Sequence, residues 1–212
     1  MPFKIRLLLS SIVVMLTLNI NAAHAASTLL IMGDSLSAAH NLRQQEGWVS
    51  LLKKPLAHSY PNVVIENASV SGETSQGGLS RFPALLKQYA PKWVVIELGA
   101  NDALRGYPLD QTTLNLGKMI EQAQLANSTV LLIGNRIPQN YGKRYTDMFF
   151  GLYKTLADQY DVNYMPFMLK NVALNKTLMQ QDGLHPTAEG QKVVLKNVLP
   201  YLIQLLDKEK KQ

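Results

Sequence analysis

Five short apolar segments alternate along the chain with longer segments of mixed polarity. The short segments are rich in aliphatic and β-branched residues, and most run without a polar break, which is typical of strands covered on both faces of a parallel sheet. The longer segments are interpreted as helices, and prolines mark several of the boundaries. The predicted strands are residues 28–32, 62–69, 92–99, 129–135 and 162–167, and the predicted helices are roughly 43–57, 78–90, 111–126, 143–160 and 187–206.

This alternation, with short connections, predicts an α/β protein, a three-layer α/β/α domain around a central parallel sheet of about five strands. No internal repeat or low-complexity linker interrupts residues 26–212, which are therefore predicted to form a single domain. In open sheets of this kind, ligands bind beyond the carboxyl ends of the strands. The residues that follow those ends are the first candidates for a functional site.

The first 25 residues have the pattern of a secretory signal peptide. Lys4 and Arg6 precede an apolar stretch over residues 7–18, and Ala23-His24-Ala25 provides a small-residue cleavage site. A membrane-spanning helix needs roughly 20 predominantly apolar residues, more than this stretch supplies. We therefore predict that residues 1–25 are cleaved and that the mature protein is exported to the periplasm, without stable insertion in the membrane.

Composition narrows the chemistry further. The chain has no cysteine, which excludes thiolate catalysis and thiolate metal ligands, and the fold must be held together by its core alone. The formal charge of +6 falls to +4 once Lys4 and Arg6 are removed, and no basic and aromatic stripe or zinc-finger spacing suggests nucleic-acid binding. Clustered histidine and carboxylate ligands for a metal are also lacking, so no metal and no cofactor are expected.

Polar clusters follow the predicted strands. Gly33-Asp34-Ser35 comes after the first strand, residues 69–72 after the second and residues 99–102 after the third. Residues 182–185 lie in the loop before the last helix. A doubly wound sheet would gather these four segments at one edge, although they are far apart in the sequence.

Two of these clusters contain the groups that acyl transfer needs. Ser35 is the candidate nucleophile, and a serine hydroxyl is weak unless a base takes its proton. The mature chain offers His40, His58 and His185, and only His185 has a carboxylate at a useful spacing, Asp182. Each feature alone has a simpler interpretation, since the Gly-Asp-Ser segment could be only a turn and Asp182 only a helix cap.

Donors for a developing oxyanion could come from the other two clusters. The backbone amides of Ser35 and Gly72 and the side-chain amide of Asn101 would make three donors. Taken singly, Gly72 could belong to a flexible loop and Asn101 to a turn. Asp34 and Asp102, which adjoin two of these residues, are interpreted as structural.

The segments GDSLS, SGETS, GAND and DGLHP resemble the four sequence blocks of the SGNH (GDSL) hydrolase family. The resemblance covers nearly the whole mature chain and implies a flavodoxin-like fold. It implies that Ser35 is the nucleophile, His185 the base and Asp182 its orienting group. It also implies an oxyanion hole made by Ser35, Gly72 and Asn101.

The resemblance further implies a serine esterase and thioesterase with acyl-CoA thioesterase, lysophospholipase and arylesterase activities. Its substrates would be small-molecule acyl esters or thioesters. The protein is expected to be a monomer. Residues 103–109 resemble a loop that covers the acyl groove, and residues 136–140 would line its opposite side. Ala39-His40 replaces a small residue and an aromatic residue in the pattern. The substrate-binding residues expected from the resemblance are Leu104, Tyr107, Pro108, Ile137 and Pro138.

Other functions remain open at this point. A carbohydrate O-acetylesterase of the same family would need a small polar pocket instead of an apolar groove. A non-enzymatic relative that binds lipid or glycan should have lost Ser35 or His185, and neither is lost. A nucleotide- or phosphate-binding protein would need a glycine-rich phosphate cradle after the first strand, and the chain has no such motif there.

Overall fold

A computed structural model describes residues 26–208, and the predicted signal peptide, residues 1–25, lies outside them. The described chain forms one five-stranded sheet in which every pairing is parallel, with strand order β2-β1-β3-β4-β5. This is the order of doubly wound flavodoxin-like folds, and it confirms the predicted fold class. The strands are β1 (Ser27–Gly33), β2 (Val63–Asn67), β3 (Trp93–Glu97), β4 (Thr129–Ile133) and β5 (Asn163–Met165).

Helices cover both faces of the sheet. They are α1 (Trp48–Leu51), α2 (Lys53–Ser59), α3 (Ser75–Tyr89), α4 (Ala100–Leu104), α5 (Leu109–Leu125), α6 (Lys143–Tyr160) and α7 (Ala188–Asp207), with single 3₁₀ turns at Gln44–Glu46 and Gln139–Tyr141. Within residues 26–208, none of these helices is long and apolar enough to cross a bilayer.

The continuous apolar runs of the central strands have a direct structural cause. Alternate residues of a strand face opposite sides of the sheet. In β1, Leu29 and Ile31 join a core with α1 and α7, whereas Leu30 and Met32 join a second core with α3, α5 and α6. Because both faces are covered, all four side chains are fully buried, and no polar residue could alternate with them.

Local chemistry explains where the helices depart from prediction. The helix predicted over 43–57 is broken, because Gly47 is extended and Pro55 has no amide to donate to the carbonyl of Leu51. Residues 100–104, predicted as loop, form the short helix α4. The helix predicted over 143–160 has those bounds in the structure.

The sheet reverses its direction of growth at β1, and this creates the crevice. The chain crosses from β1 to β2 on one side and then returns to β3 on the other side of β1. The loops that leave the carboxyl ends of β1 and β3 therefore diverge to opposite faces, and ligands bind at such points. Ser35 and Asn101 follow these two ends.

Candidate active site

Ser35 lies in a tight turn directly after β1, and the side chain of Asp34 shapes that turn. The carboxylate of Asp34 accepts from the backbone amide of Leu36 at 3.0 Å, and its carbonyl accepts from the amide of Ala38 at 2.9 Å. The turn begins at Gly33, where a Cβ atom would lie 2.6 Å from the side chain of Ser37. Only glycine fits there, so the turn can bend immediately after the strand.

A chain of hydrogen bonds links Ser35 to the loop before α7. The Oγ atom of Ser35 lies 2.8 Å from Nε2 of His185, and Nδ1 of His185 lies 2.7 Å from a carboxylate oxygen of Asp182. The other carboxylate oxygen of Asp182 accepts from the backbone amides of Leu184 and His185 at 2.9 and 3.0 Å. The structure thus brings together the three residues that the sequence suggested for a catalytic triad.

The charge on Asp182 decides which nitrogen of His185 carries the proton. Burial raises the pKa of Asp182, but hydrogen bonds from the side chain of His185 and from the amides of Leu184 and His185 outweigh burial and lower the pKa to about 2. An ionised carboxylate only accepts hydrogen bonds. Nδ1 of His185 must therefore be the donor, which leaves Nε2 of the neutral ring to accept from the hydroxyl of Ser35.

Asn101 faces the nucleophile turn from the first turn of α4. Its Nδ2 atom donates to the second carboxylate oxygen of Asp34 at 3.1 Å. The helix begins after Gly99, whose φ of 109° lies in the left-handed region, and a Cβ atom on Gly99 would lie 2.6 Å from the hydroxyl of Tyr153. Glycine at this position therefore lets the chain turn sharply enough to place Asn101 beside Asp34.

Gly72 lies in the turn after β2, with a φ of 80° that favours glycine. Its carbonyl accepts from the guanidinium of Arg105 at 3.0 Å, which links this turn to the end of α4. Gly72 does not line the cavity at Ser35. Its predicted part in an oxyanion hole stays a prediction.

A cavity of about 120 Å³ opens beside Ser35 and His185. Of the predicted substrate-binding residues, Leu104, Ile137 and Pro138 line it. Tyr107 and Pro108 lie outside the lining, on the exposed segment after α4. Arg136, from the segment 136–140 that the resemblance placed beside the groove, also lines it. The wall is completed by Leu36, Ala100, Asn135, Leu169 and Leu184.

Glu97, at the end of β3, supports the nucleophile turn from below, and the sequence reasoning missed it. Its side chain is fully buried and accepts from the hydroxyl of Ser37 at 2.8 Å and the amide of Asn135 at 3.2 Å. Burial, with the nearby charge of Asp34 adding to it, raises the pKa of Glu97 well above its usual range. A lone glutamate in a strand that is otherwise apolar is the sequence signal that could have found it.

The same burial acts on Asp34 itself. Burial raises the pKa of Asp34 to about 6, although hydrogen bonds from Leu36 and Asn101 and the nearby His185 act in the opposite direction.

Asp102, by contrast, points away from Ser35 and accepts from the amide and the hydroxyl of Ser75 at 2.8 and 2.6 Å. It holds the first residue of α3, a structural position.

The geometry at Ser35 is that of a hydroxyl with an imidazole at hydrogen-bond distance, and a carboxylate bonded to the other nitrogen of that imidazole. Triads of this kind define the serine hydrolases, which recur on several unrelated folds. No group of three or more histidine and carboxylate side chains within residues 26–208 could hold a metal ion. Here the triad lies at the switch point of a parallel sheet.

Comparison with known proteins identifies the family. The model of the GDSL-like lipase/acylhydrolase family matches residues 31–193, and the chain belongs to that family. It is 43% identical over 185 residues to an arylesterase of Vibrio mimicus, covering 87% of this chain and 92% of the relative. It is 46% identical over 169 residues to the thioesterase 1/protease 1/lysophospholipase L1 of Escherichia coli K12, covering 80% of each.

A solved structure agrees with this assignment. The psychrotrophic esterase EstA from Pseudoalteromonas, inhibited by monoethylphosphonate, superposes with a TM-score of 0.82 at 41% identity, covering 85% of this chain and 99% of that one. The resemblance to SGNH hydrolases in the sequence blocks is thereby confirmed. The protein is an esterase of this family, and its substrates are small-molecule esters.

Proposed function

We propose that the protein is an exported serine hydrolase that cleaves acyl thioesters and carboxylic esters through an acyl-enzyme on Ser35. The observation that carries the proposal is the hydrogen-bonded chain from Ser35 through His185 to Asp182, with both links under 3 Å. A hydroxyl oxygen at this distance from an imidazole nitrogen that carries no proton can pass its own proton to that nitrogen as it attacks a carbonyl carbon.

Acylation then follows from the positions of the atoms. The Oγ atom of Ser35 attacks the carbonyl carbon, and its proton passes to Nε2 of His185. The imidazolium that forms is stabilised by the carboxylate of Asp182, which stays ionised because its pKa is about 2. The bond from the carbonyl carbon to the leaving oxygen or sulfur then breaks, and His185 gives its proton to the leaving alcohol or thiol. In deacylation, water gives a proton to His185 and attacks the acyl carbon. The bond to Oγ of Ser35 breaks, the acid leaves, and His185 returns the proton to Oγ.

The carbonyl oxygen becomes negative in the tetrahedral intermediate and needs donors already in place. One amide hydrogen of Asn101 is held by Asp34, which leaves the second free to face the cavity that Asn101 and Ser35 line together. The backbone amides of Ser35 and Gly72 complete the proposed set of donors.

Several observations support an acyl substrate. The cavity wall beside Ser35 is largely aliphatic, with Leu36, Leu104 and Ile137 among its residues. Its volume of about 120 Å³ is small beside the ~300–1,000 Å³ of pockets that enclose whole ligands. The cavity therefore holds the reacting end of the acyl chain, and a longer chain extends past Leu104 over the surface. The names of the relatives favour aryl esters, acyl thioesters and lysophospholipids.

Covalent labelling tests the nucleophile. The mature protein is treated with a fluorophosphonate and examined by intact-mass spectrometry beside Ser35→Ala and Ser80→Ala, the latter replacing an exposed serine of α3. We expect one adduct on the wild type and on Ser80→Ala and none on Ser35→Ala. An unlabelled wild-type protein, or a labelled Ser35→Ala, would overturn the proposal.

A substrate panel tests the acyl groove. We expect hydrolysis of acyl-CoA, lysophospholipid and aryl esters, and a loss in kcat/KM for octanoyl but not acetyl esters when Leu104 is replaced by Ala. Leu125→Ala, at an exposed position on α5, is the matched control. A preference for acetylated carbohydrates would instead favour the O-acetylesterase. Export is tested separately, by N-terminal sequencing of the periplasmic protein, which should begin at Ala26.

A further inference from the structure

A second imidazole lies against the ring of His185. The ring centroids of His40 and His185 are 4.3 Å apart, and the ring planes are inclined by 37°. Hydrogen bonds fix both ring nitrogens of His185 at its edge, to Ser35 and Asp182. Both of these bonds lie in the plane of the ring, whereas His40 packs against its face.

His40 is itself held from two sides. Its Nδ1 atom lies 3.2 Å from the hydroxyl of Ser71, next to Gly72 in the turn after β2. Its carbonyl accepts from the side-chain amide of Gln180 at 3.0 Å, and the same amide donates to the carbonyl of Pro186 at 2.9 Å. The position of His40 is therefore linked to the two loops that carry the proposed oxyanion donor and the proposed base.

The backbone around His40 adopts an unfavourable conformation. Ala39 and Asn41, on either side of it, have φ angles of 58° and 57°, in the left-handed region. Asparagine tolerates this region, but alanine rarely adopts it. Strained residues of this kind persist where surrounding contacts over-determine them, and they cluster at active sites. The two residues in this region flank the histidine whose ring contacts His185.

We propose that His40 is a positioning residue for the reaction, which holds the imidazole of His185 in the plane that joins Ser35 to Asp182. The inference rests on the proposed function, because it presumes that His185 is the base. His40 makes its contribution through the ring face and needs no proton of its own. An aromatic ring without nitrogen should therefore replace it, whereas a methyl group should not.

The test compares His40→Ala and His40→Phe with the wild type, and uses His58→Ala, which replaces an exposed histidine on α2, as the matched control. Two rates are measured. The first is the rate of labelling by a fluorophosphonate. The second is the rate of hydrolysis of an aryl ester, divided by the concentration of active sites that the same reagent titrates. We expect His40→Ala to slow labelling and kcat by roughly tenfold with KM within about twofold, since small displacements of catalytic groups cost up to about 10²-fold. His40→Phe should recover most of the loss.

The outcomes separate the two proposals. A wild-type protein that is not labelled at Ser35 removes the proposed function and the inference with it. With Ser35 labelled normally, wild-type rates in His40→Ala remove the inference alone. Equal losses in His40→Ala and His40→Phe also overturn it, because the ring would then act through its nitrogens. A rise in KM with kcat unchanged overturns it as well, because the ring would then contact the substrate and not position His185.

Discussion

The side-chain amide of Asn101 donates to the carboxylate of Asp34 across 3.1 Å, although the two residues are 67 positions apart. This bond orients the whole amide plane, because an amide held by one hydrogen cannot rotate without breaking that bond. The carboxylate that holds it also accepts from the amide of Leu36 in the nucleophile turn. The proposed nucleophile and the proposed oxyanion donor are thus positioned by one buried carboxylate.

Replacement of Asn101 by Ala should lower kcat by about 10²–10³, with KM changed much less, because an oxyanion donor acts mainly in the transition state. Steady-state kinetics on an aryl ester measure this, with thermal unfolding recorded in parallel. A variant that loses stability but keeps the kcat of the wild type would exclude Asn101 from the oxyanion hole.

Asp182→Asn should lower kcat by roughly 10²–10⁴ by presenting the wrong hydrogen-bonding group to Nδ1 of His185. Because the pKa of Asp182 is about 2, its carboxylate is ionised at pH 8, and the full loss should be seen there. Steady-state kinetics of both proteins at pH 8 check this. A variant that keeps the kcat of the wild type would show that Asp182 does not orient the proposed base.

Glu97→Gln should make stability less dependent on pH. Burial raises the pKa of Glu97, so the native protein keeps a proton that the unfolded chain releases above the ordinary pKa of 4.5. The free energy of unfolding of the wild type must then fall as pH rises through this window, and a glutamine removes that contribution. In the variant, Asp34, whose pKa is about 6, still makes the free energy of unfolding fall with pH, but less steeply than in the wild type.

Urea unfolding at a series of pH values from 4 to 9 measures the effect. As pH rises, the free energy of unfolding of Glu97→Gln should increase relative to that of the wild type. Glu66→Gln, on the edge strand β2, is the matched control for the loss of one carboxylate from a strand. If the curve of Glu97→Gln ran parallel to that of the wild type, Glu97 would bind no extra proton in the native state.

Two glycines in the left-handed region should differ sharply in their tolerance of alanine. Gly99→Ala combines an unfavourable φ with a Cβ atom 2.6 Å from the hydroxyl of Tyr153, and should cost roughly 2–4 kcal/mol in the free energy of unfolding. Gly106→Ala has a φ of 69° but open space around the new Cβ atom, and should cost only about 1 kcal/mol. Chemical denaturation of both variants measures the difference. Equal losses would mean that the contact with Tyr153 relaxes freely.

Much of the fold could be predicted, because burial on both faces leaves an apolar signature that is visible in the sequence. The apolar runs around Leu30 and Val95 predict central strands, which the structure buries on both faces. The polar clusters that follow these runs indicate one edge of the sheet. His185 could be chosen among the histidines because Asp182 precedes it by three residues. Local spacing carried that information.

The missed features depend on contacts between distant residues. The sequence shows that a lone glutamate ends the apolar run of β3, but it does not show that Ser37 and Asn135 bind its carboxylate. Its hydrogen-bond partners lie 60 and 38 positions away. The contact of His40 with His185 joins residues far apart in the sequence, and the adjacent Ala39 adopts a conformation that alanine normally avoids.

β1 is the first strand in the described chain yet lies inside the sheet, and Ser35 at its end must meet His185, 150 positions later. A nascent chain that lacks β4, β5 and the loop before α7 therefore carries the proposed nucleophile without the proposed base. With these proposed roles, hydrolysis can begin only after the C-terminal segment has docked. During refolding, recovery of ester hydrolysis should follow the slowest step of the whole chain, so that turnover reports on completed folding.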